Sequence, residues 1–173
     1  LLQAAREGLN NFSLFCNHIT TPATMRAILT DPDLTLDGFL APGHVSMVIG
    51  TQPYDFVVHD YQKPVVITGF EPLDILQAIW LLLKQVNERR PVVENLYARI
   101  VPTQGNNAGL AAIQQVYEVR AHSEFRGLGN IGDAGIKIRA NYAAFDAEQK
   151  FPLAKAIPAP ATEMLKCAEV LRG

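Results

Sequence analysis

Short unbroken apolar runs alternate with stretches whose apolar residues recur at helical spacing, and turn residues separate the two kinds of segment. Leu1 to Leu9 reads as the end of an amphipathic helix, followed by Asn10-Asn11. Phe12 to Cys16, FSLFC, is short and aromatic and predicts a buried strand. Thr21-Pro22 starts a helix in which Met25, Ile28 and Leu29 face one way, until Asp31-Pro32 ends it. Gly38 to Ala41 predicts a strand, Pro42-Gly43-His44 a turn, and the next residues a short helix to about Ile49. A helix over Tyr54 to Asp60 follows, with Phe56 and Val57 facing inward.

Val65 to Thr68 is β-branched and uninterrupted, which suits a parallel strand covered on both faces. Gly69-Phe70-Glu71-Pro72 then turns the chain into its longest helix, Leu73 to about Glu88. Apolar residues occur nearly all round that helix, which predicts deep packing. Recurrence of strand, turn and helix implies βαβ crossovers and a three-layer α/β/α fold on a mostly parallel sheet. After Pro91, Val92 to Val101 is extended, Ala108 to Tyr117 helical, Phe125 to Ile138 glycine-rich with short extended pieces, and Tyr142 to Phe151 helical. Prolines 152, 158 and 160 mark a linker to a carboxyl-terminal helical appendage, Thr162 to Leu171. The expected division is an α/β lobe over 1–151 and an appended region over 152–173.

With 173 residues, 49% of them hydrophobic, the chain has material for a core that needs no disulfide. Its formal charge of -2 and the absence of any Lys/Arg cluster argue against nucleic-acid binding. The longest nearly continuous apolar run, Ile75 to Leu83, is shorter than the roughly 17 residues that cross a bilayer, so no membrane span is expected. Two cysteines 151 positions apart, Cys16 and Cys167, form no disulfide framework and point to a reducing cytoplasm. The opening inside an amphipathic pattern, without Met, and the stop at Gly173 suggest a piece of something longer.

Candidate chemistry concentrates in the two turns that follow the apolar strands. His44 stands at one strand end, and Glu71 with Asp74 stands at the entrance to the helix after the other. In open α/β sheets ligands gather beyond the carboxyl ends of the strands, so these residues form the candidate site. The competing reading makes His44 a capping or packing residue and Glu71 and Asp74 partners of the helix dipole, each contributing about 0.3 to 1 kcal/mol. No two of His18, His44, His59 and His122 have zinc-ligand spacing. Cys16, inside an apolar run, is expected to be inert core, and Cys167 has no CxxC partner. Gly127-Leu128-Gly129 lacks the order of a phosphate loop.

DGFLAPGHVSMVIG, GFEPLDIL, VEN.Y.R.V, RGLG, YAAFDAE and CAEVLRG, in that order, resemble the HypD family of hydrogenase maturation proteins over nearly the whole chain. The resemblance implies a cytoplasmic scaffold that acts with HypC and HypE while the iron of nickel-iron hydrogenases gains its cyanide and carbon monoxide ligands. It implies two α/β lobes facing a cleft and a third region with a four-iron four-sulfur cluster. This chain would be the second lobe and the start of the cluster region, holding no iron and no cluster by itself. The family's CG.H, CPVC and GFETT motifs have no counterpart here; Cys167 matches a family cysteine and is a possible cluster ligand in the full-length protein. Phe125 replaces a family Trp, and Ala168 a family Gly. His44, Glu71 and Asp74 would supply hydrogen bonds around the Fe(CN)2CO centre. The alternatives are a self-contained small-molecule hydrolase or transferase using His44 and Glu71, and a module that only docks HypC.

Overall fold

The computed structural model describes residues 1–125, 128–152 and 169–170. The chain divides into two units, one built on Leu1–Ala27 and Ala111–Leu171, the other on Ile28–Leu110.

The second unit is built on a parallel three-stranded sheet, β1 (Phe39–Pro42), β2 (Val65–Thr68) and β3 (Val93–Asn95), with β2 in the middle. Phe39 aligns with Val65 and Val65 with Val93, so the three strands start together, and β3 ends one residue before the other two. All four residues of β2 are buried, as its β-branched run demands of a strand covered on both faces. Between β1 and β2 lie α3 (Gly43–Ile49), a 3-10 turn (Gln52–Tyr54) and α4 (Asp55–Tyr61), and between β2 and β3 lies α5 (Pro72–Glu88). Tyr54 and Val57 are wholly enclosed, and the Tyr54 hydroxyl shares a 3.0 Å hydrogen bond with Ser46 Oγ, which itself donates to Pro42 O at 2.8 Å. Buried Gln85 ties α5 to β3, accepting from Val92 N at 2.9 Å and donating to Glu94 at 2.8 Å. This is the α/β fold that the alternating pattern predicts.

Deep packing of the long helix does not occur. Ala78 and Gln85 of α5 are buried, but Leu73, Leu76, Trp80 and Leu83 are 76%, 64%, 59% and 57% exposed. The helix has two apolar faces and this unit covers one. Spacing along a sequence that is apolar all round does not tell which face has a neighbour.

In the other unit, α1 (Leu2–Arg6) and the first turns of α2 (Thr21–Leu29) accompany an antiparallel hairpin, β4 (Tyr117–Phe125) with β5 (Gly129–Ile138). The glycine-rich stretch expected to hold short pieces is thus a ten-residue strand. Its glycines permit close approach: a Cβ on Gly135 would lie 1.8 Å from Ser123 Oγ. A register shift falls between Arg120 and His122. The predicted strand Phe12 to Cys16 is not one. Leu14 makes only an isolated bridge to Asp146, and Phe15 is exposed, so the run lacks the two covered faces its composition suggested. Helix α6 (Asn107–Val116) precedes β4, and a 3-10 segment (Ala140–Phe145) leads into α7 (Ala147–Lys150), whose N-cap Asp146 accepts from Glu148 N. Most of the linker and all but two residues of the expected terminal helix lie outside the described residues. Among the described residues, no helix is long and apolar enough to cross a membrane.

Candidate functional site

Because β1, β2 and β3 are parallel and in register, the three following loops leave from one edge of the sheet. The β1 loop carries His44, the β2 loop carries Phe70 and Glu71, and the β3 loop carries Tyr97 and Arg99. His44 and Phe70 meet with ring centroids 4.4 Å apart and planes tilted by 41°.

The approach of these loops depends on two glycines. A Cβ on Gly43 would stand 2.5 Å from Thr68 O and 2.6 Å from the Tyr97 ring; one on Gly69 would stand 2.1 Å from Asp74 Oδ2 and 3.1 Å from the same ring. Tyr97 therefore packs against both glycine positions, and any larger residue would push the loops apart. Asn95 shapes the third loop, accepting from Tyr97 N at 3.1 Å and donating to Val101 O at 2.9 Å.

The predicted residues occupy different positions in this frame. Pro42 caps α3 and His44 lies inside its first turn, so His44 is not the cap; its exposed imidazole rests on Phe70. Glu71 is the N-cap of α5 by backbone geometry, yet its side chain makes no capping hydrogen bond and is exposed. Asp74 is tied down: Arg99 Nη2 reaches its Oδ2 at 3.2 Å, and the Arg99 guanidinium also lies 4.3 Å from the Tyr97 ring centroid. Thr68 Oγ1 donates to Asp74 O at 3.1 Å, fastening the end of β2 to the first turn of α5. The loops carrying His44 and Glu71 thus leave the same edge with both side chains exposed, while Asp74 is held by Arg99 and Thr68. Tyr97 and Arg99 complete the edge; reasoning from single strand ends missed them, although both fall in the VEN.Y.R.V motif.

Cys167 lies outside the described residues, as do Arg126 and Gly127 of the glycine motif. Cys16 is buried in the other unit, its thiol donating to Ile136 O at 3.1 Å with His18 Nδ1 at 3.4 Å. Burial raises its pKa, opposed by a backbone hydrogen bond from His18, so the sulfur is held as a neutral thiol. An iron-sulfur cluster of four irons takes about four thiolates, and one buried thiol does not fit that donor set. No group of three or more His, Cys, Asp or Glu among the described residues is placed to hold a metal ion. Two other cavities, one of about 390 Å³ beside Lys63, Gln85 and Arg89 and one of about 310 Å³ beside Cys16, His18 and Ser123, have none of the predicted site residues in their walls.

A parallel three-stranded sheet whose following loops carry an imidazole, a carboxylate, a phenol and a guanidinium at one edge defines an α/β lobe with a candidate site there. The family model HypD, described as the hydrogenase formation hypA family, matches residues 1–173. The hydrogenase maturation factor HypD of Rhodobacter capsulatus is 54% identical over 99% of this chain and 46% of its own length. Those of Escherichia coli K12 and Rhizobium leguminosarum bv. viciae are each 45% identical over 100% of this chain and 46% of theirs. The chain belongs to the HypD family, and it spans about half the length of the relatives it matches.

Proposed function

We propose that this chain is the α/β lobe of a cytoplasmic scaffold on which the Fe(CN)2CO centre of nickel-iron hydrogenases is assembled, together with HypC and HypE. The relatives' names as hydrogenase maturation factors support the pathway. The observation that supports the reading is the contact of His44 with Phe70 across two loops of one sheet edge, with the exposed Glu71 next to Phe70 in the chain.

The iron complex is the cargo. Low-spin iron carrying cyanide and carbon monoxide calls for soft thiolate ligands, and residues 28–110 contain no cysteine. The iron ligands in this reading therefore come from outside this unit, and the rim supplies what surrounds them. The N–H of His44 donates to a cyanide nitrogen, whose lone pair points away from the metal. Glu71 accepts from a donor on the incoming group or takes up a proton as the ligand set is built. Tyr97 keeps both loops in place, and Arg99 holds Asp74. In the same reading 1–151 is the lobe, and 152–173 leads toward the cluster region, with Cys167 as a ligand there.

The test replaces the matched segment of the Escherichia coli HypD with this chain in cells lacking their own copy. Hydrogenase activity returns with the unaltered chain and falls at least tenfold with His44→Ala at equal protein abundance. Undiminished activity of the His44→Ala form would refute the role given to the rim.

A further inference from the structure

The largest feature that the rim does not use is the outer face of α5. Leu73, Leu76, Trp80 and Leu83 are spaced by three, four and three residues, which is the spacing of a seam that packs against a neighbouring body. All four are more than half exposed, with Ile79 flanking them. The stripe begins at Phe70, itself 57% exposed and in contact with His44, and runs about 20 Å from there at 1.5 Å per residue. Soluble proteins rarely leave so long a continuous apolar strip in water, and a Trp at its centre is the residue type that anchors interfaces.

We infer that this stripe is covered by the part of a HypD protein that the present chain does not span. The relatives are about twice as long, so a body of comparable size accompanies this lobe in each of them. The stripe starts on the loop that forms the rim. A body seated along α5 therefore also approaches His44, so one contact both buries the seam and walls the candidate site. The inference goes beyond the assembly role and does not need it: burial of the stripe requires no iron chemistry.

Trp80 is the sole tryptophan of the chain and reports on the contact directly. Its acrylamide quenching is measured in the chain alone and in the Escherichia coli HypD chimera, subtracting a Trp80→Phe twin to remove other tryptophans. Quenching is expected to fall at least threefold in the chimera, and Leu76→Glu to leave the melting temperature of the chain unchanged while lowering that of the chimera by several degrees. As a check independent of whether the chimera folds, hydroxyl-radical labelling of the natural Rhodobacter capsulatus protein should show protection at the positions aligned with Leu76, Trp80 and Leu83. Equal quenching in chain and chimera, full labelling of those positions, or a concentration-dependent dimer of the chain that alone shields Trp80 would overturn the inference.

Discussion

His44 leans on Phe70 with 4.4 Å between ring centroids, although the two lie 26 positions apart in the chain. Parallel pairing of β1 with β2 makes the contact possible, since Pro42 and Thr68 are partners and the chain leaves both at the same edge. Removing the Phe70 ring should free the imidazole while leaving the fold intact, because both side chains are exposed. In a Phe70→Ala form, the His44 ring protons should move toward random-coil NMR positions with a stability loss of about 1 kcal/mol or less. Unchanged His44 shifts would show that the ring contact does not position it.

Gly43 is the less forgiving of the two glycine positions, because its nearest neighbours are a backbone oxygen and an aromatic ring, whereas the nearest at Gly69 is the end of the Asp74 side chain. Gly43→Ala should destabilise the chain by about 1 to 3 kcal/mol through overpacking, as read by urea unfolding. A loss near zero would mean that the loops have room the structure does not show.

Gln85 is a buried polar side chain with both ends in use, on Val92 N and on Glu94. Gln85→Ala should cost about 2 to 3 kcal/mol, the loss of two hydrogen bonds and of packing around a buried amide. Amide exchange at Val92 should accelerate in the same variant.

Tyr54 sets an alkaline limit. Its phenol is fully enclosed, and burial raises its pKa above the ordinary 10.0, opposed by the Ser46 hydrogen bond. Above pH 10 the unfolded chain loses the phenol proton while the folded chain keeps it. The unfolded state then binds fewer protons, and stability falls as pH rises from the ordinary value through the raised one. Tyr54→Phe should flatten this decline in melting temperature while costing about 1 kcal/mol at pH 7 for the lost hydrogen bond. Ser46 keeps its bond to Pro42 O, so no orphaned hydroxyl confounds the comparison.

Much of the second unit was legible in the sequence because its signals were local. Val65 to Thr68 is a β-branched run, and α5 begins at Pro72, one residue before the predicted start at Leu73. The hairpin was not legible. The register shift at Arg120 and the glycines of β5 break the alternation that would have announced a pair of long strands. The exposure of Leu73, Leu76, Trp80 and Leu83 was equally hidden, because apolar spacing records that a face seeks a partner without saying where the partner is. At the edge itself, His44 and Glu71 could be placed from the turns that carry them. Tyr97 and Arg99 could not, since their place depends on β3 pairing with β2 in register.

The central proposal is that His44 serves the cyanide and carbon monoxide ligands of iron held by thiolates outside this unit. Infrared spectra of the Escherichia coli HypD chimera, purified with HypC from cells making the iron centre, test this most directly. With the unaltered chain, cyanide and carbonyl stretching bands should appear; with His44→Ala, the cyanide bands should shift or be lost, in protein whose circular dichroism matches the unaltered chimera. Identical bands at identical intensity in the two proteins would contradict it.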